Sequence, residues 1–488
     1  MKKKLFSLIL ALLMIAPSLA SCAEKSSNET EESSPAAETA VDTIAEAEEV
    51  IETEPELSDD LPDTNLEGYN FRILSIFWYT YEGAHRIMYE EYTGDPIFDR
   101  LRDSTLYIED RFNCSMSYIS GGNEHETKAK AETSIKAGDN SFDIMINHDL
   151  TSFDMAKDGL FYNMFDIEQF NFEKPWWQPT TDLVFCDQLL CASSYLSYIG
   201  LHWTRALTLN KDYMTNLNLE VPYDTVREGK WTLDELLKLV NGTAQDIDGN
   251  GKIEAGDNVG YVTGTQTYYC LQEALDLSPY KRDAEGNMTF DFNIERADLA
   301  LQKLRTLTES SDYLMDGSGH GQETFKTGRA MIVYGDIGNA QAYFQDSDFH
   351  YAFLPTPKLD ELQENYINCC TDLPWAIPKT ISPEQADVIG TIVEATSCYN
   401  YKYVLPAYFD VTMKSRIADS PDDAEMLQLI ADTRKISFAF SYSMHCSNFL
   451  TELLESNKEL ASYAKTYQKV ATKDLEKLVK VFENMKDA

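Results

Sequence analysis

The sequence predicts an α/β fold, because strand signals and helix signals alternate along most of its 488 residues. Short apolar runs indicate buried strands, and apolar residues at helical spacing indicate helices. Two capping boxes, Thr232 with Glu235 and Ser382 with Gln385, mark the starts of helices. This alternation is typical of sheets flanked by helices, so we expect mostly parallel sheets in two or three domains.

The N-terminal segment has the pattern of a signal peptide. Three lysines at positions 2–4 precede an apolar run over 5–16 that is too short to cross a membrane. The residues LASC at 19–22 resemble the lipobox of bacterial lipoproteins. That resemblance implies that 1–21 is removed and that a lipid on Cys22 anchors the chain to the outer face of the cytoplasmic membrane. The alternative is an ordinary cleaved signal with a chance cysteine.

Residues 22–66 differ in composition from the rest of the chain. Positions 23–63 hold fifteen Asp and Glu against one Lys, and they include no aromatic residue. Such a segment cannot bury enough apolar surface to offset its loss of conformational entropy, so we expect a disordered acidic tether. The whole chain carries a net charge of −40. This charge disfavours nucleic acid as a partner, because binding relies on basic residues that neutralise phosphates.

Strands and helices follow one another along the body of the chain. The strand signals are the apolar runs at 71–76, 142–146, 330–334 and 351–354. The helix signals are 97–112, the segments after Thr232 and Ser382, and the amphipathic stretch that begins near Leu460. No stretch after the signal reaches the roughly 18 consecutive apolar residues of a membrane helix.

Five segments carry a family resemblance. They are KPWW at 174–177, WTRALTLNKD at 203–212, PYDTVREGKWT at 222–232, FKTGRAM at 325–331 and WAIPK at 375–379. In this order and spacing they resemble the family 1 extracellular solute-binding proteins of ABC importers, a group that includes maltose-type sugar-binding proteins.

The resemblance implies two lobes of the periplasmic-binding-protein-like fold (type II), joined by crossing hinge segments, with the ligand held between them. Lobe 1 would comprise 67–200 plus 331–380, and lobe 2 would comprise 201–330 plus 381–488. The implied protein is a monomeric receptor without enzymatic activity. It would capture a small solute, expected to be a sugar or oligosaccharide, and deliver it to the membrane subunits of an ABC importer.

Two other functions stay open. One is a surface-anchored carbohydrate-active enzyme, and the other is a ligand-sensing module of the same fold. The sequence contains no G-x-S-x-G, no H-E-x-x-H, no P-loop and no dinucleotide fingerprint. Paired carboxylates for glycoside hydrolysis stay possible in so acidic a chain, but abundant Asp and Glu carry no specificity.

The segment from Asp246 to Asp257 fits a calcium loop of the type D-x-[DN]-x-[DN]-G. Ligand oxygens at positions one, three, five, seven and twelve would come from Asp246, Asp248, Asn250, the backbone carbonyl of Lys252, and Asp257. Position twelve is Asp rather than Glu, and the segment after the loop is strand-like. We therefore expect a structural Ca²⁺, with a metal-free polar turn as the alternative.

The ligand site of an α/β lobe lies at the carboxyl ends of its strands. Aromatic faces and polar side chains suit a sugar there. The residues nominated in this way are Trp78, Tyr79, Tyr81 and Glu82 after the first strand, His148 and Asp149 after the second, Gly335 and Asp336 after the strand at 330–334, and Trp203 and Trp375. For each aromatic the alternative is burial in a core, and we expect Trp176 and Trp177 to be packing residues.

Eight cysteines follow Cys22, and none of their spacings is of the zinc type. Their state is open between buried free thiols and disulfides. Adjacent Cys369 and Cys370 would not readily bond to each other.

Overall fold

The computed structural model of the protein describes residues 57–78, 81–254, 256–264, 268–318, 321–371, 373–414, 420–456 and 458–486. The predicted signal peptide, Cys22 and the predicted tether up to residue 56 lie outside these residues. The strands are β1 (Tyr69–Trp78), β2 (Tyr81–Glu82), β3 (Cys114–Gly122), β4 (Ile144–Ile146), β5 (Arg205–Asn210), β6 (Val259–Thr263), β7 (Tyr280–Arg282), β8 (Met288–Phe290), β9 (Tyr313–Met315), β10 (Ala330–Asp336), β11 (Tyr351–Leu354), β12 (Asn368–Cys370), β13 (Trp375–Ala376) and β14 (Arg434–Ile436).

The helices alternate with these strands in the first half of the chain and dominate the last hundred residues. They are α1 (Pro96–Phe112), α2 (Glu124–Ala137), α3 (Asp149–Lys157), α4 (Ile199–His202), α5 (Lys211–Asn216), α6 (Tyr223–Arg227), α7 (Leu233–Val240), α8 (Tyr268–Ala274), α9 (Ile294–Thr308), α10 (Gln322–Phe325), α11 (Asn339–Tyr343), α12 (Pro383–Tyr399), α13 (Leu405–Lys414), α14 (Pro421–Asp432), α15 (Phe438–Ser441), α16 (Phe449–Leu454) and α17 (Leu460–Lys486). A π-helical turn, Asn400–Val404, joins α12 to α13.

Local sequence explains where the helices begin. The carboxylate of Asp95 accepts the backbone N–H groups of Ile97 and Phe98 at the start of α1. The capping box predicted at Ser382 is present at the start of α12. The one predicted at Thr232 is wrong in detail, since Thr232 is the N-cap of α7 but its side chain makes no capping hydrogen bond.

The first sheet has the order β13-β4-β1-β2, and β3 also pairs with β1. Strands β3 and β4 run parallel to β1, whereas β2 and β13 are antiparallel to their neighbours. The second sheet has the order β11-β5-β10-β6-β9. Its pairs β10–β6 and β6–β9 are parallel, and its pairs β5–β10 and β5–β11 are antiparallel. The α/β fold is confirmed, but both sheets are mixed rather than mostly parallel.

The second sheet is buried on both faces. Val333 of β10 belongs to one hydrophobic cluster, and its neighbours Ile332 and Tyr334 belong to the other. The same division places Val262 and Tyr261 of β6 on opposite sides. This is the period of two that a pleated strand imposes on its side chains.

Sheet membership differs from the predicted lobe boundaries. The segment 331–380 was expected in lobe 1, but β10 pairs with β5 from Ile332–Leu209 to Asp336–Arg205. Strand β11 pairs with the other edge of β5. Only the short β13 returns to the first sheet, where it pairs with β4. The antiparallel pairing of β5 with two later strands, which local sequence patterns do not reveal, sets this arrangement.

The end of the predicted tether is part of the folded body. Asp59 and Asp63 both pair with Arg111 of α1, at 2.6 and 3.0 Å. Asp60 pairs with Lys174 at 2.6 Å. The backbone N–H of Leu66 donates to the carbonyl of Phe112. The expectation of disorder over 22–66 is therefore wrong for 57–66, because its acidic residues have cationic partners on the body.

The C-terminal helix α17 is amphipathic, as its sequence predicts. It buries one face, which includes Tyr463, Ala471, Leu478 and Phe482. Among the described residues, no helix combines the length and the apolar character needed to cross a membrane.

Candidate functional site

Three of the nominated aromatic residues meet at the carboxyl end of the first sheet. Trp78 is the last residue of β1, and His148 follows β4, which runs parallel to β1. Their ring centroids lie 5.2 Å apart in an edge-to-face arrangement. Trp203, between α4 and β5, also contacts Trp78 edge to face, with centroids 5.3 Å apart. The chain enters the second sheet two residues after Trp203. The cluster therefore lies beside the chain segment that connects the two sheets.

An ion pair between His148 and Asp149 belongs to this cluster. The Nδ1 atom of His148 lies 3.0 Å from the Asp149 carboxylate, which also accepts the backbone N–H of Leu150. Burial by itself would lower the pKa of His148, but the hydrogen bond and charge of Asp149, together with the charge of Glu124, raise it. The site therefore favours the imidazolium form more than a free histidine does.

Glu82 supplies a second polar group near the end of β1. It lies opposite Phe77 in the β1–β2 pair and is 8% exposed. Its Oε2 atom has no hydrogen-bond partner among the described residues. A buried carboxylate oxygen without a donor is costly, so this atom can accept a further hydrogen bond. Tyr81 pairs with Trp78 through its backbone, and Tyr79 lies outside the described residues.

The nominated residues of β10 have a different role. Asp336 pairs with Arg205, its antiparallel neighbour on β5, at 2.6 Å, and both side chains are buried. Gly335 lies one residue earlier, opposite Ala206. The backbone N–H groups of Ile337 and Gly338 continue the pairing by donating to Thr204 and His202. Asp336 thus fixes β10 to the segment that carries Trp203.

Trp375 does not belong to the site. It is 1% exposed, its ring packs against Phe170 and Trp177, and its Nε1 donates to Ser194 Oγ. A ring enclosed in this way has no face for a ligand, so its nomination is corrected to a core residue. Trp176 and Trp177 are buried as expected, and both indole N–H groups donate to Glu394.

Glu124 and Asn147 are residues of this region that the sequence analysis missed. Glu124 begins α2 just after β3, and the Asn147 side chain donates to its carbonyl. The rule that ligands meet the carboxyl ends of parallel strands applies to β3 as well. Its sequence, CSMSYISGG, has too few apolar residues to be identified as a strand, so the rule was not applied there.

A narrow cavity adjoins Asp149. Its lining includes Ser193, Thr371, Ser437 and Ser441. The volume of this cavity is about 10 Å³, which is room for about one water molecule.

The candidate metal loop has the geometry of a closed acidic turn. One carboxylate oxygen from each of Asp246, Asp248 and Asp257 lies within 4.8 Å of the others. The backbone N–H groups of Gly249, Asn250 and Gly251 donate to Asp246, and those of Gly251 and Gly249 lower its pKa.

Further contacts fix the ends of this loop. Both oxygens of Asp257 accept backbone N–H groups, and the residues Gln245 and Asn258 pair at its base. Gly251 has a φ of +80°, which the sharp turn requires. Asn250 directs its oxygen to the N–H of Lys252. The three carboxylates fit a divalent cation, whereas Asn250 would have to turn. Strand β6 follows the loop, as its sequence predicts.

The chain is similar in structure to several solved proteins, but it matches no known family by sequence. No family model matches the chain, and no curated protein matches it. An uncharacterized protein from Listeria monocytogenes EGD-e, lmo0859, has a TM-score of 0.54 and 11% identity; the match covers 83% of this chain and 100% of that one. The GacH receptor of Streptomyces glaucescens GLA.O, solved unliganded and with acarbose, has a TM-score of 0.52 and 14% identity over 83% and 98% of the two chains.

UgpB from Mycobacterium tuberculosis, solved with glycerophosphocholine, has a TM-score of 0.50 and 12% identity over 85% and 98% of the two chains. These matches extend over nearly the whole length of each solved chain, so the likeness concerns the complete architecture and not one lobe. The protein therefore has the two-lobed α/β fold of the periplasmic-binding-protein-like solute receptors, which is the fold that the sequence motifs predicted.

Proposed function

We propose that the protein is an extracytoplasmic receptor that captures a carbohydrate reversibly and delivers it to the membrane subunits of an ABC importer. The observation that carries this proposal is the convergence of Trp78, His148 and Trp203 where the chain crosses between the two sheets. Aromatic faces combined with a buried acceptor such as Glu82 match the apolar faces and hydroxyl groups of a sugar. The shared fold with the GacH receptor supports the proposal.

The arrangement favours binding over chemistry. The His148 imidazole is held by Asp149, and the buried carboxylate of Asp336 is engaged by Arg205. Among the site residues described above, neither the His148–Asp149 pair nor the Arg205–Asp336 pair lies next to a nucleophilic side chain. Incubation with oligosaccharides followed by product analysis should leave every substrate intact. Hydrolysis would contradict the receptor function and favour the carbohydrate-active enzyme.

Calorimetry tests ligand capture. The purified protein is titrated with monosaccharides, oligosaccharides, glycerophosphodiesters and peptides, and we expect 1:1 binding of at least one sugar. Trp203→Ala should weaken that binding by about fivefold, since one aromatic contact contributes on the order of 1 kcal/mol. Tyr107→Ala, which removes an exposed ring of α1, should not change it. Binding of a peptide and of no sugar would refute the carbohydrate assignment.

We also propose that Cys22 carries a lipid that keeps the receptor near its importer. Anchoring raises the local concentration of the receptor without adding any contact. Metabolic labelling with a fatty acid should mark the wild-type chain, and Cys22→Ser should abolish the label and release the protein from the membrane fraction. Persistence of both in the variant would refute the anchor.

A structural calcium ion is the third part of the proposal. Asp246, Asp248 and Asp257 would bind it, with Asn250 and the carbonyl of Lys252 completing the oxygen ligands. Chelation should lower the melting temperature of the wild type and leave that of Asp248→Asn unchanged. The control Asp283→Asn alters an exposed turn in which one Asp accepts backbone N–H groups, so it should retain the response. A wild-type melt that is insensitive to chelation and to added Ca²⁺ would refute the site.

A further inference from the structure

Two cysteines from distant parts of the chain face each other inside the protein. Cys270 lies in α8, which follows β6, and Cys369 lies in β12. Both side chains are at most 1% exposed. Helix α8 packs on β12. Glu273, three residues after Cys270 on α8, pairs at 3.2 Å with Lys435, which is the register partner of Cys369 in the β12–β14 pair. The pair is thus formed by tertiary packing and not by closeness in sequence.

The strand geometry selects Cys369 over its neighbour Cys370. Adjacent residues of a strand point to opposite sides. The Sγ atom of Cys370 faces the carbonyl of Lys435, at 3.6 Å, across the β12–β14 pair. Cys369 therefore points toward α8, where Glu273 lies one turn beyond Cys270 and pairs with Lys435 at 3.2 Å. The ion pair and the strand pairing hold both partners in register.

We propose that Cys270 and Cys369 form a disulfide in the mature protein. This inference rests on the extracytoplasmic location in the proposed function, because disulfides persist in oxidising compartments. As the Sγ–Sγ bond forms, the two thiols lose two protons and two electrons. A disulfide-bonded thiol oxidoreductase of that compartment accepts them by thiol–disulfide exchange and leaves as a dithiol.

The bond forms while the chain folds. In the folded protein the hydrogen bond with Cys270 and burial raise the pKa of Cys369 well above its usual value. The thiolate is the nucleophile in exchange, so a buried and neutral thiol reacts slowly. An oxidant can reach the pair only before α8 and β12 close over it.

The disulfide would anchor one end of the connection between the sheets. The backbone of Cys370 forms an isolated antiparallel β-bridge with that of Thr204, next to Trp203. The chain then continues into β13 of the first sheet. A bond from Cys369 to α8 fixes the start of this connection to the second sheet. It also closes a loop of about 100 residues, and cross-links of that length constrain the unfolded chain strongly.

Peptide mapping tests the bond directly. The full-length protein is purified from the extracytoplasmic fraction without reductant, denatured with an alkylating agent present, digested and examined by mass spectrometry. We expect the peptide of Cys270 to be linked to the peptide that holds both Cys369 and Cys370, and we expect fragment ions to place the link on Cys369 and one alkyl group on Cys370. Alkylation of both Cys270 and Cys369, or linkage of either one to another cysteine, would overturn the inference.

Melting temperatures supply a second measurement. Unfolding in reductant, followed by refolding with the reductant retained, should lower the melting temperature of the wild type and of the matched control Cys370→Ser. It should leave Cys270→Ser and Cys369→Ser unchanged, and both should melt near the reduced wild type. A wild type that is insensitive to reductant would overturn the inference. If Cys270 and Cys369 are free thiols in a protein that binds sugar, only the disulfide proposal is refuted. If the two cysteines are linked but no ligand binds, only the proposed receptor function is refuted.

Discussion

Glu394 is the buried residue whose charge state has the clearest consequence for stability. Its two carboxylate oxygens accept the indole N–H groups of Trp176 and Trp177, at 3.0 and 2.9 Å. Burial raises its pKa to about 7, although these hydrogen bonds act in the opposite direction. Since the folded pKa exceeds the unfolded one, the folded state binds a proton more tightly and is favoured at low pH.

We therefore expect the free energy of unfolding to fall as pH rises from about 4.5 to 7, by roughly 3 kcal/mol for this group alone. Glu394→Gln should remove that dependence and cost about 1–3 kcal/mol at pH 5, because its amide can accept only one of the two indoles. Denaturant unfolding across this pH range measures both effects. Glu384→Gln, on the exposed first turn of the same helix, should keep the wild-type profile; an unchanged profile in Glu394→Gln would contradict the assignment.

Gly338 is a residue where space, and not backbone conformation, excludes a side chain. A Cβ atom there would lie 2.4 Å from the ring of His202, while the φ of −63° is ordinary. Its N–H donates to the carbonyl of His202 at 2.9 Å, so the two residues cannot separate freely. Gly338→Ala should lower the free energy of unfolding by about 1–3 kcal/mol. Gly317→Ala, where the added atom meets nothing within 4 Å, should change it little, and equal effects would refute the argument.

Among the elements, the acidic segment 57–66 makes contacts that its composition hides. Arg111 donates to Asp59, Asp63 and the carbonyl of Leu61, and Lys174 pairs with Asp60. Arg111→Ala should release the segment and cost about 1–2 kcal/mol of unfolding free energy, since these partly buried pairs combine charge with hydrogen bonds. Limited proteolysis should then cut near residue 60 faster than in the wild type. Arg100→Ala, which loses one exposed pair within α1, should be cut at the wild-type rate.

The same scale shows what local sequence could predict. The apolar runs at 71–76, 330–334 and 351–354 became strands because each is buried on both faces and needs no distant information to be recognised. Strand β3 was missed because Ser and Gly make up most of its residues and leave too few apolar side chains for a strand signal. The partners of β5 could not be predicted, since pairing depends on residues more than 120 positions away.

The candidate site was predicted to a similar extent. Trp78, His148 and Trp203 were nominated from strand ends and the crossing segment, and the structure brings them together. The nomination of Trp375 failed because a strand end can also face the core, which only the packing around Phe170 and Trp177 reveals. The partnership of Asp336 with Arg205 likewise depends on register between strands.

For the whole molecule, the proposed site at Trp203 would link ligand binding to the relation between the two sheets. Trp203 contacts Trp78 of the first sheet and precedes Arg205, which is fixed to β10 of the second by its pair with Asp336. A sugar that touches this cluster and a group on the second sheet gains most when the sheets approach each other. Such a ligand shifts the population toward a closed form by its difference in affinity for the two forms.

We therefore expect small-angle X-ray scattering to show a smaller radius of gyration when a sugar identified by calorimetry is present at saturation. A sugar that does not bind is the control for solvent contrast. Arg205→Lys with Asp336 retained keeps the charge but loses the planar guanidinium, so it should loosen the connection and weaken the compaction while Trp78 and Trp203 remain. A radius of gyration that stays constant at saturation would mean that the sugar binds one lobe alone. The second sheet would then make no contact that holds the sugar.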